Sequence, residues 1–476
     1  MKKKLLIDLL IIILLNVLIK PVAIFGIDAA VQNRLGSDTY GLYFSLLNLS
    51  YLFNIVMDLG INNYTTRNVA QYPHIVPSYL GKIIGLRLVL FAVYVIITLG
   101  FGLAIGYRDG ALSILGILIF NQFLNTLILY VRSHLGGLHL FRTDAVISVL
   151  DKFLLIVMCG YLLLTTTDYF FKIEWLIWSQ TIAYALTLIV GFSLLIRHIG
   201  WPKLKFKWAF SYAIIRQSLP FALLVLLMML YSRTDSIMLE RIHTKGPYEA
   251  GIYAKGFRLL DTLYMFGMLF ATLLLPVFSR MIKEKSKDTG FLLESARDLL
   301  MGGAIVIGFI ATHLSLLILG WIYTDDIKES APAFILLMWS FVAMTITLVY
   351  GTFLTAKGDL KFLNIISVFG IAINVGLNFI VIPHYGAEGA AISTLSTQSF
   401  MAICQIIRVH KILPPHQALQ TVLKFGALLA GMLILYFFLP VNMWTFVLEC
   451  AAGLLFLFVF RLIDIPRIRL AFSEKL

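Results

Sequence analysis

The sequence predicts an all-α, polytopic membrane protein of fourteen transmembrane helices: two pseudo-symmetric six-helix lobes plus two appended C-terminal helices. Three observations predict it. Of 476 residues, 60% are hydrophobic and only 13% charged, with a mean hydropathy of +0.91, which is too little polar surface for a soluble chain of this length. Apolar runs of about twenty residues, enough to cross a bilayer core, recur from end to end. Lysine and arginine fall on alternate connections, as they do when one side of a membrane is cytoplasmic.

The first run follows MKKK and covers Leu5–Ile19. It has the basic-then-apolar form of a secretory signal, but no small-residue cleavage site follows and Lys20-Pro21 leads into more apolar sequence. It therefore reads as the first span, with its basic end in the cytoplasm. The spans are expected at 5–27, 40–62, 79–106, 111–133, 144–165, 171–196, 210–239, 251–279, 297–321, 332–356, 361–383, 387–410, 419–439 and 442–463. The short connections leave no sizeable soluble domain. On this layout 26 of the 38 lysines and arginines lie on cytoplasmic segments, six on outer loops and six within spans. A miscounted helix would scramble that bias, so both termini are expected in the cytoplasm.

Two longer basic loops, 197–216 and 280–297, punctuate the chain. The first follows six spans and marks a boundary, giving an N-terminal lobe at 1–200, a C-terminal lobe at 201–411 and two appended spans with a tail at 412–476. Internal repetition supports two lobes. LGSDTYGLY (Leu35–Tyr43) and KGPYEAGIY (Lys245–Tyr253) share Gly36/Gly246, Gly41/Gly251 and Tyr43/Tyr253, each between the first and second span of its half. VISVL (Val146–Leu150) and IISVF (Ile365–Phe369) each open a fifth span. Six spans per copy is an even number, so both copies insert alike and their pseudo-twofold runs along the membrane normal, as in parallel-repeat transporters.

Charge inside the apolar runs points to chemistry. Arg233 and Asp235 lie late in the seventh span, and Lys255, Arg258 and Asp261 early in the eighth. A charge at mid-helix costs about 2.5–3.5 kcal/mol facing lipid, so these groups are expected to face a wet cavity or partners. Lys20, beyond the midpoint of the first span, joins Arg233, Lys255 and Arg258 in one layer, which Arg34 in the outer loop would extend. A cationic layer suits a phosphate or pyrophosphate: one unit pair at 4 Å is worth about 4 kcal/mol at an effective dielectric of 20. The same residues can instead pair internally, Arg258 with Asp261 and Arg233 or Lys255 with Asp235, and Lys20 can snorkel to headgroups. Asp58, Asp235 and Asp261 are candidates for ion coupling or for charge pairing, Asp58 also for capping at the cytoplasmic interface. Pro21 and Pro220 occupy the leading span of each copy, where a proline permits a bend. The small-residue patterns Gly81–Gly85, Gly102–Gly106 and Gly386–Ala391 suit close helix packing.

Other classes find no support. The net charge of +13 follows the loops instead of clustering with exposed aromatics, so nucleic acid is not an expected partner. Cys159, Cys404 and Cys450 sit inside apolar runs, which gives neither a disulfide framework nor a metal site. No Walker loop, nucleophile elbow or HExxH occurs, so no enzyme and no cofactor is expected.

Three stretches carry a resemblance. MDLGINNYTTRNVA (Met57–Ala70), LLPVFSRM (Leu274–Met281) and NFIVIPHYGAEGAAISTLSTQ (Asn378–Gln398) resemble segments of polysaccharide flippases of the multidrug/oligosaccharidyl-lipid/polysaccharide exporter superfamily, including the Wzx-type O-antigen flippases. The resemblance covers most of the chain and implies a two-lobed fold like that of the multidrug and toxic compound extrusion (MATE) transporters. It also implies an undecaprenyl-pyrophosphate-linked oligosaccharide of O-antigen, capsule or exopolysaccharide as substrate, flipped to the outer leaflet of a bacterial inner membrane. Membrane lipids, and the polysaccharide polymerase and glycosyltransferases of the pathway, would be its partners. The choice of cavity cations rests on charge and depth and not on a family motif. The other expectations are a cation-coupled multidrug exporter on the same fold, which would favour acidic cavity groups, and a membrane glycan polymerase or glycosyltransferase, which would want catalytic acids or a large outer loop.

Overall fold

The computed structural model describes residues 14–62, 65–66, 69, 76–167, 170–201, 208–286, 288–414 and 418–463. Among them there is no strand. The helices in chain order are α1 (Leu14–Asp58), α2 (Val76–Ala104), α3 (Asp109–Gly137), α4 (Phe141–Thr165), α5 (Ile173–Ile199) and α6 (Trp208–Ile242). They continue with α7 (Gly246–Lys283), α8 (Thr289–Ile322), α9 (Ile327–Lys357), α10 (Leu360–Ile412), α11 (Ala418–Phe438) and α12 (Met443–Val459). The cytoplasmic cations expected at Lys2–Lys4, Arg67, Lys203, Lys205, Lys207, Lys287, Arg467, Arg469 and Lys475 lie outside the described residues.

The chain is an all-α, multi-pass membrane protein. Eleven helices, α1 to α11, carry stretches long and apolar enough to cross a bilayer, and α12 is a shorter apolar helix. Two of the eleven are double length. α1 has 45 residues and α10 has 53, or about 68 and 80 Å at 1.5 Å per residue if straight, more than twice a bilayer core of about 30 Å. Each leaves helical backbone at a glycine, Gly36 (φ 76°, ψ 169°) in α1 and Gly386 (φ 50°, ψ −126°) in α10. Positive φ at these two positions is the conformation only glycine adopts freely. Large apolar side chains such as Leu164 and Phe438, 89% and 81% exposed, are what a bilayer would cover.

The backbone clusters into two compact units, Met1–Arg241 and Ile242–Leu476. In the first, α2, α3 and α5 enclose a core containing Ile83, Leu86, Ile128, Leu135 and Leu195. α6 belongs to this unit through its last turns: Ser45 in α1 donates to the Ser236 carbonyl at 2.9 Å. In the second unit, α9 is the hub on which α7, α8 and α10 pack. Its most apolar stretch is 72% buried, against 17–44% in the other candidate spans, because three helices pack around it. α7 crosses α9 where a Cβ on Gly256 would lie 2.9 Å from the Phe334 Cα. α11 and α12 close on α8 through Ile305, Ile310, Phe425, Leu428 and Leu457.

Pro21 precedes a π-helical stretch, Val22–Asp28, consistent with the hydrogen bond a proline cannot supply. Pro220 lies within α6, outside the residues whose side chains are described. Gly106 is a terminator more than a packing residue. At φ 96° it ends α2, with its N–H donating to the Leu103 carbonyl and the Tyr107 N–H to the Gly102 carbonyl.

Candidate functional site

In the first unit, Lys20 lies half-buried in α1. Its electrostatic neighbours are Arg132 of α3 and Lys152 and Asp151 of α4. Among the described residues no hydrogen bond or ion pair closes on its ammonium. Lys152 is itself held: its Nζ lies 3.2 Å from the Asp151 carboxylate and 3.4 Å from the Tyr184 hydroxyl. Arg132 pairs with Asp144 at 2.7 Å. Arg233 donates to Asn48 Oδ1 at 3.2 Å and lies 5.5 Å from the centre of the Tyr51 ring. Tyr51 is in turn an electrostatic neighbour of Lys152 and Tyr184. Arg233 and Lys152 thus both neighbour Tyr51, while Arg132, Lys152 and Asp151 neighbour Lys20. Sequence reasoning singled out Lys20 and Arg233 but not Lys152 and Arg132, whose nearness to Lys20 comes from tertiary packing.

Arg34 stands elsewhere. Its guanidinium donates to the Leu163 carbonyl at 2.7 Å and to the Thr166 carbonyl, and it covers the Phe171 ring. It therefore caps the C-terminal end of α4, where a cation is favoured by the exposed carbonyls. That end lies about 16 Å along α4 from Lys152 at 1.5 Å per residue, so Arg34 does not extend the layer of Lys20. Farther along, the carboxylate of Glu240 accepts from the Tyr107 hydroxyl at 2.8 Å, and Arg241 stacks 3.9 Å from the centre of the Tyr107 ring. Burial first, and then the Glu240 charge, push the Tyr107 phenol far above its ordinary value.

Asp58 is not a lone acid. Arg87 of α2, 1% exposed, donates to its carboxylate at 2.9 Å, to Asn62 at 2.8 Å and to the Met57 carbonyl at 3.3 Å, under the Tyr130 ring at 4.6 Å. The pair pins the end of α1 to α2 and α3. Asp235 is buried, at 1% exposure, and Arg258 and Asp261 are half-buried; all three are engaged in polar contacts.

The second unit answers for Lys255. Its side chain is 2% exposed, and its Nζ donates to the Asp325 carbonyl at 2.5 Å and faces the Asp326 carboxylate at 3.6 Å. Its ion-pair partner is therefore Asp326, not Asp235. Tyr248 donates to the same Asp326 at 2.9 Å, so the acidic doublet before α9 is the counter-charge of α7. Nearby, the Glu249 carboxylate accepts from the Ala387 N–H at 2.8 Å, at the start of the second half of α10. An anion is favoured at such an N-terminus. A Cβ on Gly386 would lie 2.3 Å from Glu249 Oε2, and one on Gly389 would lie 2.8 Å from the Val381 carbonyl oxygen. The expected close packing of Gly386–Ala391 is present, and part of it serves this cap. Among the described residues no His, Cys, Asp and Glu cluster could hold a metal ion.

Residues 5–282 match the polysaccharide biosynthesis protein family, well over half of the chain. The chain belongs to that family. Residues 220–380 also match the MatE family. The fold resembles that of the lipid II flippase MurJ in an inward closed conformation, with a TM-score of 0.67 and 16% identity over 94% of this chain and 98% of that one. It also resembles an inward-facing multidrug resistance MATE family transporter of the MOP superfamily, with a TM-score of 0.64 and 15% identity over 82% of this chain and 94% of that one. An uncharacterized membrane protein, MJ1375 of Methanocaldococcus jannaschii, is 25% identical over 217 residues, 42% of this chain. The match spans about half (48%) of that relative's length. The resemblance read in the sequence is met in both family and fold.

Proposed function

We propose that this protein is a flippase that moves a polyprenyl-pyrophosphate-linked oligosaccharide from the cytoplasmic to the outer leaflet of a bacterial cytoplasmic membrane, without covalent chemistry. The observation that carries the proposal is Lys20: a half-buried cation inside an apolar span, beside Arg132 and Lys152, in a member of a polysaccharide biosynthesis family. Asp144 and Asp151 balance Arg132 and Lys152, so the excess positive charge there is that of Lys20, and a phosphate or pyrophosphate would bring it the counter-charge and acceptor oxygens it lacks. Arg233, in the same unit, is proposed to complete the grip. Lys255 acts through the Asp325–Asp326 segment, because its ammonium is already engaged.

The fourteen-crossing layout follows if α1 and α10 each cross twice, turning at Gly36 and Gly386, and if α12 crosses once. Both termini are then cytoplasmic, and two six-span lobes, 1–200 and 201–411, carry the appended spans of 412–476. Alternating access of the lobes would move the headgroup while the lipid tail stays in the bilayer. O-antigen, capsule and exopolysaccharide units fit this chemistry equally, and the polymerase and glycosyltransferases of the pathway are the proposed partners. A cationic-drug exporter, which would favour acidic cavity groups, fits less well: Asp58, Asp144 and Asp151 in the first unit are each paired with arginine or lysine.

Export of surface polysaccharide in cells carrying Lys20→Ala or Arg233→Ala tests this, with membrane insertion verified. Loss of export at normal protein level is expected; undiminished export in both variants overturns the proposal.

A further inference from the structure

α11 and α12 lie outside the repeated spans, yet ionisable groups join them to α8. His313 in α8 and Glu449 in α12 meet at 2.5 Å between Nδ1 and Oε1, with side chains only 7% and 2% exposed. The surroundings are apolar, with Ile310, Leu314, Phe425, Leu428 and Met432 in the same cluster. Tyr436 of α11 lays its ring 5.0 Å from the imidazole. The second carboxylate oxygen, Glu449 Oε2, is buried and has no hydrogen-bond partner. The helices are seated tightly here: a Cβ on Gly453, one turn beyond Glu449, would lie 2.4 Å from the Val306 side chain.

The partner of this carboxylate sets the pair apart. Asp58, Asp144, Asp298, Asp326 and Asp359 are paired with arginine or lysine, which stay charged through the physiological range. The partner of Glu449 is instead a histidine, the residue type suited to proton switching near neutral pH. We propose that His313 and Glu449 form a proton-binding site that latches α11 and α12 to α8, tightest when the pair shares one proton and loosened when that proton leaves or a second arrives.

The sign follows from charge balance. With one proton the pair is neutral overall, as imidazolium and carboxylate or as imidazole and carboxylic acid. Loss of that proton to water leaves a carboxylate alone among apolar side chains, with one oxygen already lacking a partner. Uptake of a second proton from water leaves an imidazolium facing a neutral acid. Either state buries an uncompensated charge, which weakens the contact. The titratable groups facing the pair are Tyr436 from α11 and Cys450 beside Glu449 on α12. Neither a phenol nor a thiol can be a cation, so neither supplies a positive charge to a carboxylate left alone.

The test uses the full chain in lipid nanodiscs and does not involve the carried lipid, so its outcome is separate from that of the transport proposal. Hydrogen exchange over α11 and α12 is followed from about pH 5 to about pH 9, corrected for intrinsic exchange, a window that brackets an ordinary imidazole. Wild type is expected to show protection that peaks inside the window and falls about tenfold or more at one or both ends, since tenfold corresponds to one unit of pKa difference. The double variant His313→Gln/Glu449→Gln, whose amides can bond each other without titrating, is expected to be flat while α9 keeps its protection. Infrared difference spectra over the same range should show a carboxyl band that is lost in Glu449→Gln. A flat wild-type profile, the same profile in wild type and double variant, or a band that survives in Glu449→Gln overturns the proposal.

Discussion

The two copies of the repeated turn share a frame and differ in what it holds. In the first, Gly36 breaks α1 and Tyr43 accepts from Gln180 of α5 at 3.4 Å. In the second, Gly246 opens α7 and Tyr253 meets Thr394 of α10 at 3.1 Å. Each unit also sets an arginine against a tyrosine one helix on: Arg87 under Tyr130 in the first, and Arg297 bonded to the Tyr350 hydroxyl at 3.3 Å in the second. Past the shared tyrosine the copies part. The first continues with Ser45, Asn48 and Tyr51; the corresponding positions of the second are Lys255, Arg258 and Asp261. In the first copy the neutral residues receive a charge, Asn48 and Tyr51 holding Arg233. In the second the charges are carried by the helix itself, and one is neutralised by Asp326. The glycine, tyrosine and arginine positions build the fold, and the residues between them set the chemistry.

The largest test of that comparison is removal of the buried arginines. Arg87→Ala leaves Asp58 without its partner, and Arg297→Ala does the same to Asp298, which it holds at 2.7 Å. Each is expected to cost about 3–5 kcal/mol, the range for breaking one side of a buried pair, read as a lower unfolding temperature in detergent. A silent Arg297→Ala would show that the frame is not shared. Next is Gly386→Ala, which forces a side chain to φ 50° and against Glu249. It is expected to cost about 1–3 kcal/mol from backbone strain alone; Glu249→Ala combined with it should remove the steric part and leave the strain. The smallest is the tyrosine pair. Tyr43→Phe and Tyr253→Phe should each cost about 0.5–1.5 kcal/mol, the net worth of one hydrogen bond, and by similar amounts if the turns are equivalent.

Much of the fold was legible because a membrane span is a local property: apolar length is read without knowing any partner. The two similar turns were legible as well: each leaves a mark in the sequence in a buried tyrosine, Tyr43 or Tyr253, whereas of the matched glycines Gly36 has a positive φ and Gly246 does not. Partners were not. Lys255 finds its partners some 70 residues away in the Asp325–Asp326 doublet, a separation that no local pattern reveals. Arg87 reaches back 29 residues to Asp58, and His313 reaches forward 136 to Glu449. Sequence reasoning could place Lys20 and Arg233 by depth, but only packing places Lys152 and Arg132 near Lys20 and sets Arg34 apart at the end of α4.

Lys20 and the cations around it are the proposed grip on a pyrophosphate. The most direct measurement is binding of a short-chain polyprenyl pyrophosphate and of the matching polyprenol to the purified full-length protein in nanodiscs, for wild type, Lys20→Ala and Arg34→Ala. Wild type and Arg34→Ala should prefer the pyrophosphate over the alcohol, and Lys20→Ala should lose most of that preference while unfolding at the wild-type temperature. Equal affinity of wild type for both lipids, or a preference untouched by Lys20→Ala, would contradict it.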